Sequence, residues 1–225
     1  MGGFESLQVS GMASRLYVPG PIAADTPGVV VFHAWWGLTG DVVRFADRLA
    51  AAGFGVVAPD LYGGPTADTV GVAERLSSSM DEAAADAIAL ASVDLLAQRT
   101  GADTPLGAVG FSLGGAWALW SPAKRERLAA SVVYYGSISG PSLEAGRVPV
   151  MGHFAESDPY EPDEGIAAFE ATLRAAGREV TTHRYPGTGH WFAEPSRGAY
   201  VAAAADLAFE RTVTFLRAAL GAPSG

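Results

Sequence analysis

The 225-residue sequence predicts an α/β fold, a mostly parallel twisted sheet with helices on both faces and an antiparallel hairpin at its N-terminus. Three observations lead there. Short apolar runs of strand length alternate with longer helix-patterned segments, the signature of a parallel sheet covered by helices. Two alternating runs flank Gly11 near the start, as in a hairpin. Gly110-Phe111-Ser112-Leu113-Gly114, followed by Gly115, lies where an apolar run gives way to a helical segment. With 49% hydrophobic residues the chain can bury a sizeable core, and residues 1–225 are expected to form one domain.

The elements follow in order. Glu5 to Ser10 and Met12 to Val18 form the hairpin. Val29 to His33 is a continuous apolar run, hence a buried strand. A helix is expected from Asp41 to Ala52, with Asp41 as its cap and Gly53 just past its end, where a left-handed residue is often required. Gly55 to Ala58 is a strand, and Gly63 to Met80 reads as a short polar segment. A long alanine-rich helix spans about Asp81 to Gln98. Leu106 to Val109 enters the glycine-flanked turn and Ala116 to Trp120 starts the helix that leaves it. Strands Ser131 to Tyr135, Val148 to Phe154 and Val180 to Tyr185 follow, with helices at Asp163 to Ala176 and near Ala199 to Leu220.

The turn carries the first chemical signal. A serine between a strand and a helix, with glycines at both flanks, stands on a strained elbow that exposes its hydroxyl, so Ser112 is read as a nucleophile. That chemistry needs a general base and an acid later in the chain, each after a strand. Asp158, in Ala155-Glu156-Ser157-Asp158-Pro159, follows one strand, since Pro159 blocks continuation. Glu156, Glu161 and Asp163 are its rivals. His190, in the glycine-rich Pro186-Gly-Thr-Gly-His190-Trp-Phe192, follows the next and is the candidate base. Reactive groups of open α/β sheets gather beyond the carboxyl ends of the strands, which lets three distant residues converge.

The other histidines are expected to be structural, His153 and His183 within strands, while His33 borders the site. No pair has zinc-ligand spacing and there is no cysteine, so neither a metal nor a cofactor is implied. The oxyanion donors expected are the backbone N–H groups of Leu113, at the helix start, and Trp35, in the loop after the first parallel strand. Ala34, Trp36, Tyr160, Trp191 and Phe192 lie on predicted loops at the same sheet edge and are the candidate substrate pocket, apolar or aromatic in character.

A net charge of -9 argues against nucleic acid and anionic membranes as partners, which demand clustered lysine and arginine. The N-terminus lacks the basic and apolar stretches of a secretory signal, and no apolar run is long enough to span a bilayer. A cytoplasmic protein acting on a small molecule is the expectation.

Taken together, His33-Ala-Trp-Trp-Gly37, Ala58-Pro-Asp-Leu-Tyr62, the elbow with its double glycine, Tyr134-Tyr-Gly136, Asp158 and Gly189-His190-Trp-Phe192 resemble the dienelactone hydrolase family, a compact branch of the α/β-hydrolases. The likeness runs along nearly the whole chain. It implies an α/β-hydrolase fold and a triad of nucleophile, aspartate and histidine at Ser112, Asp158 and His190. The family's usual cysteine is here Ser112, and the glutamate that engages the family's resting thiol is here Ala34. These two departures are chemically joint, because a serine hydroxyl is far too weak an acid to be held near ionisation and needs direct proton removal by histidine. Where relatives acting on dienelactone carry an arginine that holds the substrate carboxylate, this chain has Glu194, expected to repel such a group. Gly63 to Met80 offers only Arg75. The residues therefore imply hydrolysis of a small ester or lactone other than dienelactone. An acyltransferase using the same acyl-enzyme, and a binding protein that has lost turnover, fit the same residues.

Overall fold

A computed structural model describes residues 2–9, 11–138, 143 and 145–221. Eight strands form one sheet: β1 (Gly3–Val9), β2 (Met12–Val18), β3 (Gly28–Phe32), β4 (Gly55–Pro59), β5 (Leu106–Phe111), β6 (Leu128–Tyr134), β7 (Val150–Ser157) and β8 (Val180–Gly189). Their spatial order is β1-β2-β4-β3-β5-β6-β7-β8. β1 and β2 pair antiparallel around Gly11, β2 joins β4 antiparallel, and β3 to β8 run parallel. This is an α/β-hydrolase architecture. Ser10, the end of the expected first strand, lies outside the described residues.

The helices are α1 (Gly40–Ala51), α2 (Val70–Ser78), α3 (Glu82–Thr100), α4 (Gly115–Trp120), α5 (Asp163–Ala175) and α6 (Ala202–Leu220). Strand pleating divides the core into two layers. Val29 and Val31 of β3 pack with Phe45 and Leu49 of α1 and Leu216 of α6 on one face. Val30 and Phe32 pack with Leu96 of α3, Leu119 of α4 and Phe169 of α5 on the other. The central strands are buried on both faces, which is why they read as unbroken valine-rich runs.

Several boundaries differ from expectation. Asp41 does not cap α1: Thr39 occupies that position. Asp41 is instead buried in the first turn, accepting hydrogen bonds from the Ser196 backbone N–H and hydroxyl and from Arg44. It serves as a tether between α1 and the loop after β8. Gly53 has φ +94° as expected. The segment read as polar contains α2, whose inward stripe of Val72, Ala73 and Leu76 packs on the α1 layer. β8 continues through Pro186 to Gly189, which pairs with Ser157. The last helix starts at Ala202 rather than Ala199, because Tyr200 and Val201 bond back to Arg197 and Phe192.

Candidate active site

Ser112, Asp158 and His190 each follow the end of a parallel strand, β5, β7 and β8 respectively. The elbow after β5 is built by close backbone approach. Ser112 has φ +47°, a left-handed conformation that costs a residue with a Cβ about 1 kcal/mol or more. Gly114 is required beneath it, since a Cβ there would stand 2.5 Å from the Phe32 carbonyl oxygen and 2.6 Å from that of His33. A side chain at Gly110 would likewise strike the Gly114 carbonyl. The serine is thereby lifted clear of both neighbouring elements.

Above the elbow, Ser112 Oγ lies 3.0 Å from His190 Nε2. His190 Nδ1 lies 2.7 Å from Asp158 Oδ2. The other carboxylate oxygen, Asp158 Oδ1, accepts from the Tyr160 and Glu161 backbone N–H groups at 2.9 and 3.2 Å. This fixes the carboxylate plane and leaves Oδ2 for the imidazole. The rivals are engaged elsewhere. Glu156 accepts from the Gly187 N–H, Glu161 from the backbone and hydroxyl of Ser137, and Asp163 pairs with Arg184. The Asp158 and His190 side chains are almost wholly covered, at 1% and 4% exposure, so water competes little for their hydrogen bond.

Of the five candidate pocket residues, two pack against the imidazole. Tyr160 and Trp191 have ring centroids 4.8 and 5.0 Å from that of His190, and Trp35 stacks on Trp191 at 5.9 Å and meets Tyr160 at 5.7 Å. The other three belong to the core. Ala34, Trp36 and Phe192 are 1%, 2% and 0% exposed. Trp36 is covered by the Arg197 guanidinium 3.8 Å above its ring, and Phe192 is wedged between Tyr135 and Tyr185. They support the site from beneath. The N–H groups of Leu113 and Trp35 follow β5 and β3, which are paired neighbours in the sheet.

Glu194 also differs from expectation. It is buried at 2% exposure, accepts the Tyr135 hydroxyl hydrogen bond at 2.9 Å on Oε1, and leaves Oε2 without a partner. Burial pushes its carboxyl up to about 8. Glu194 is therefore uncharged at neutral pH and faces away from solvent, so it cannot repel an incoming carboxylate. Tyr135, at φ +38°, sets its ring 4.9 Å from His190. Tyr135 and Glu194 thus form a layer beneath His190, a pairing that sequence reasoning did not identify. A bulky residue just past a strand and before Gly136 was the available signal.

His33 is buried, with Nδ1 donating to the Ala34 carbonyl and Nε2 accepting from the Leu61 N–H. Burial holds it below the usual histidine range. It ties the loops after β3 and β4 together and so fixes the loop that carries Trp35. His153 is enclosed by Tyr185 and Thr212, and His183 stacks on it. Among the described residues, no three His, Asp or Glu side chains gather as a metal-holding group, and no helix is long and apolar enough to cross a membrane.

The sequence profile of the dienelactone hydrolase family matches residues 14–220. The chain belongs to the dienelactone hydrolase family. It is 31% identical to Protein usf of Aquifex pyrophilus over 96% of this chain and 98% of that one. It is also 31% identical to an Aquifex aeolicus protein named "Putative carboxymethylenebutenolidase", over 88% and 89% of the two chains. Among solved structures, it is similar to a dienelactone hydrolase-like promiscuous phosphotriesterase from metagenomic libraries, with a TM-score of 0.82, 22% identity and coverage of 98% and 99%. This dienelactone hydrolase family member is a hydrolase of ester or lactone bonds.

Proposed function

We propose that the protein is a serine hydrolase that cleaves a small, uncharged ester or lactone through an acyl-enzyme. The observation that carries this reading is the continuous chain from Ser112 Oγ to His190 Nε2 at 3.0 Å and from His190 Nδ1 to Asp158 at 2.7 Å. Asp158 holds the tautomer in which Nδ1 bears the proton, leaving Nε2 to accept the serine's. As Oγ attacks the carbonyl carbon, His190 takes that proton and then delivers it to the departing alcohol oxygen. Water, deprotonated by the same imidazole, releases the acid and restores Ser112. The carbonyl oxygen gains negative charge in both steps, and the N–H groups of Leu113 and Trp35 meet it, each contributing about two to three powers of ten in rate.

The substrate differs from dienelactone in this reading. No arginine stands where one would pair with the carboxylate of that compound, and the residue at that place, Glu194, is buried. Ser112→Ala tests the nucleophile. Turnover of a nitrophenyl ester should fall by about four to six powers of ten while the protein stays folded, and a fluorophosphonate should label Ser112 in the parent alone. Equal rates for the two proteins would refute serine catalysis.

A further inference from the structure

A concave groove of about 320 Å³ opens at the start of α4, on the layer opposite to that of Tyr135 and Trp191. Leu113, the residue after Ser112, forms one wall. Ala116 and Trp120 of α4, Met80 before α3 and Ile138 after β6 supply the rest of its apolar surface. Glu82 and Asp86 of α3 complete the lining, Asp86 accepting from the Trp117 indole N–H at 2.9 Å. No lysine or arginine is among the described lining residues.

We propose that this groove receives the acyl portion of the substrate, and that the acyl group is an uncharged aliphatic chain of about four to six carbons. The proposal rests on the serine hydrolase reading above. Its direction comes from the two core layers. Leu113, Ala116, Trp117, Trp120 and Ile138 belong to the layer of α3, α4 and α5. Tyr135 and Trp191, which touch His190, belong to the opposite layer. The alcohol oxygen must leave beside His190, because that imidazole returns the proton to it. The acyl carbon's remaining substituent then points away from the imidazole, toward Leu113. The groove lies at the lower end of the volumes that bind small molecules, which suits a short chain. Two lining carboxylates outnumber the Lys124 ammonium, which lies 5.8 Å from the Trp120 ring centroid, and disfavour an anionic acyl group.

The experiment compares nitrophenyl esters of acetate, butanoate, hexanoate and hemisuccinate. In the parent protein kcat/KM should rise about two- to fourfold per methylene from acetate to hexanoate, the gain of moving a methylene from water to an apolar surface. The anionic hemisuccinate should be turned over at least about tenfold more slowly than the neutral butanoate. Acetates of alcohols of increasing length should show no comparable rise. Ala116→Trp, which fills the groove, should lower the hexanoate-to-acetate ratio about tenfold or more. A flat acyl profile, a rise confined to the alcohol side, or an unchanged ratio in the folded variant would overturn the proposal. The parent's profile needs no variant, so a misfolded Ala116→Trp does not protect it. Failure of the underlying reading would look different, with acetate turnover surviving Ser112→Ala.

Discussion

Glu194→Gln isolates the buried acid beneath the His190–Tyr135 pair. Glutamine keeps the carbonyl that accepts from the Tyr135 hydroxyl at 2.9 Å and copies the shape of the neutral acid. What it removes is titration. Burial, the largest cause, lifts the Glu194 carboxyl from 4.5 to about 8, with Asp41 adding repulsion and Tyr135 opposing. The folded-state value lies above the unfolded one, so between them the folded chain holds a proton that the unfolded chain has released. Stability due to Glu194 is fully present below about 4.5 and is lost as pH rises toward 8. At about 1.4 kcal/mol per pH unit, the interval amounts to a loss of about 5 kcal/mol. The variant should therefore gain on the parent by about 1 kcal/mol at pH 5, about 3 at pH 7 and about 4 at pH 8, beyond any constant offset. Urea denaturation midpoints of both proteins across that range give the difference directly, since every other titrating group is shared. A difference constant to within about 0.5 kcal/mol from pH 5 to 9 would mean that Glu194 is ionised in the folded protein throughout, and the account of its burial would be wrong.

Three further outcomes are expected. Asp158→Asn should lower kcat by about four powers of ten with little change in fold, because an amide at that place no longer holds the imidazole in the tautomer that accepts from Ser112; nitrophenyl ester kinetics read it. Gly114→Ala should destabilise by about 1–3 kcal/mol, because its Cβ would meet the Phe32 carbonyl oxygen at 2.5 Å, and thermal unfolding measures the loss. His153 is held well below 6.5 by burial, so the stability it confers is present above the unfolded value and is lost as pH falls below about 6.5. The deficit of His153→Gln relative to the parent should accordingly be largest above pH 7 and narrow by up to about 1.4 kcal/mol per pH unit on acidification, followed by denaturant melts.

The central strands were legible because they are buried on both faces, so Val29, Val30 and Val31 all had to be apolar. Ser112, Asp158 and His190 were singled out by different signals: the apolar run of β5 ends directly at Ser112, Pro159 marks the strand end at Asp158, and the glycine-rich loop beyond Tyr185 marks His190. What failed was the direction of side chains in irregular backbone. Phe192 and Glu194 follow His190 by two and four residues, yet the loop winds on itself at Trp191, φ +67°, and through bonds from Phe192 N to Gly189 O and Glu194 N to Trp191 O. That winding carries Phe192 and Glu194 into the core, while a charged residue before Pro195 reads as solvent-facing. α2 escaped notice because Ala73 is its one fully buried residue, too thin a stripe to show a helical period. The groove was invisible for the same kind of reason. Leu113, Ala116 and Trp120 look like the ordinary apolar face of a helix, and only the position of α3, roughly thirty residues earlier, leaves part of that face open as a groove. Chain order therefore reveals which groups a sheet edge can bring together, whereas the shape of a groove depends on surfaces that two separate helices create together.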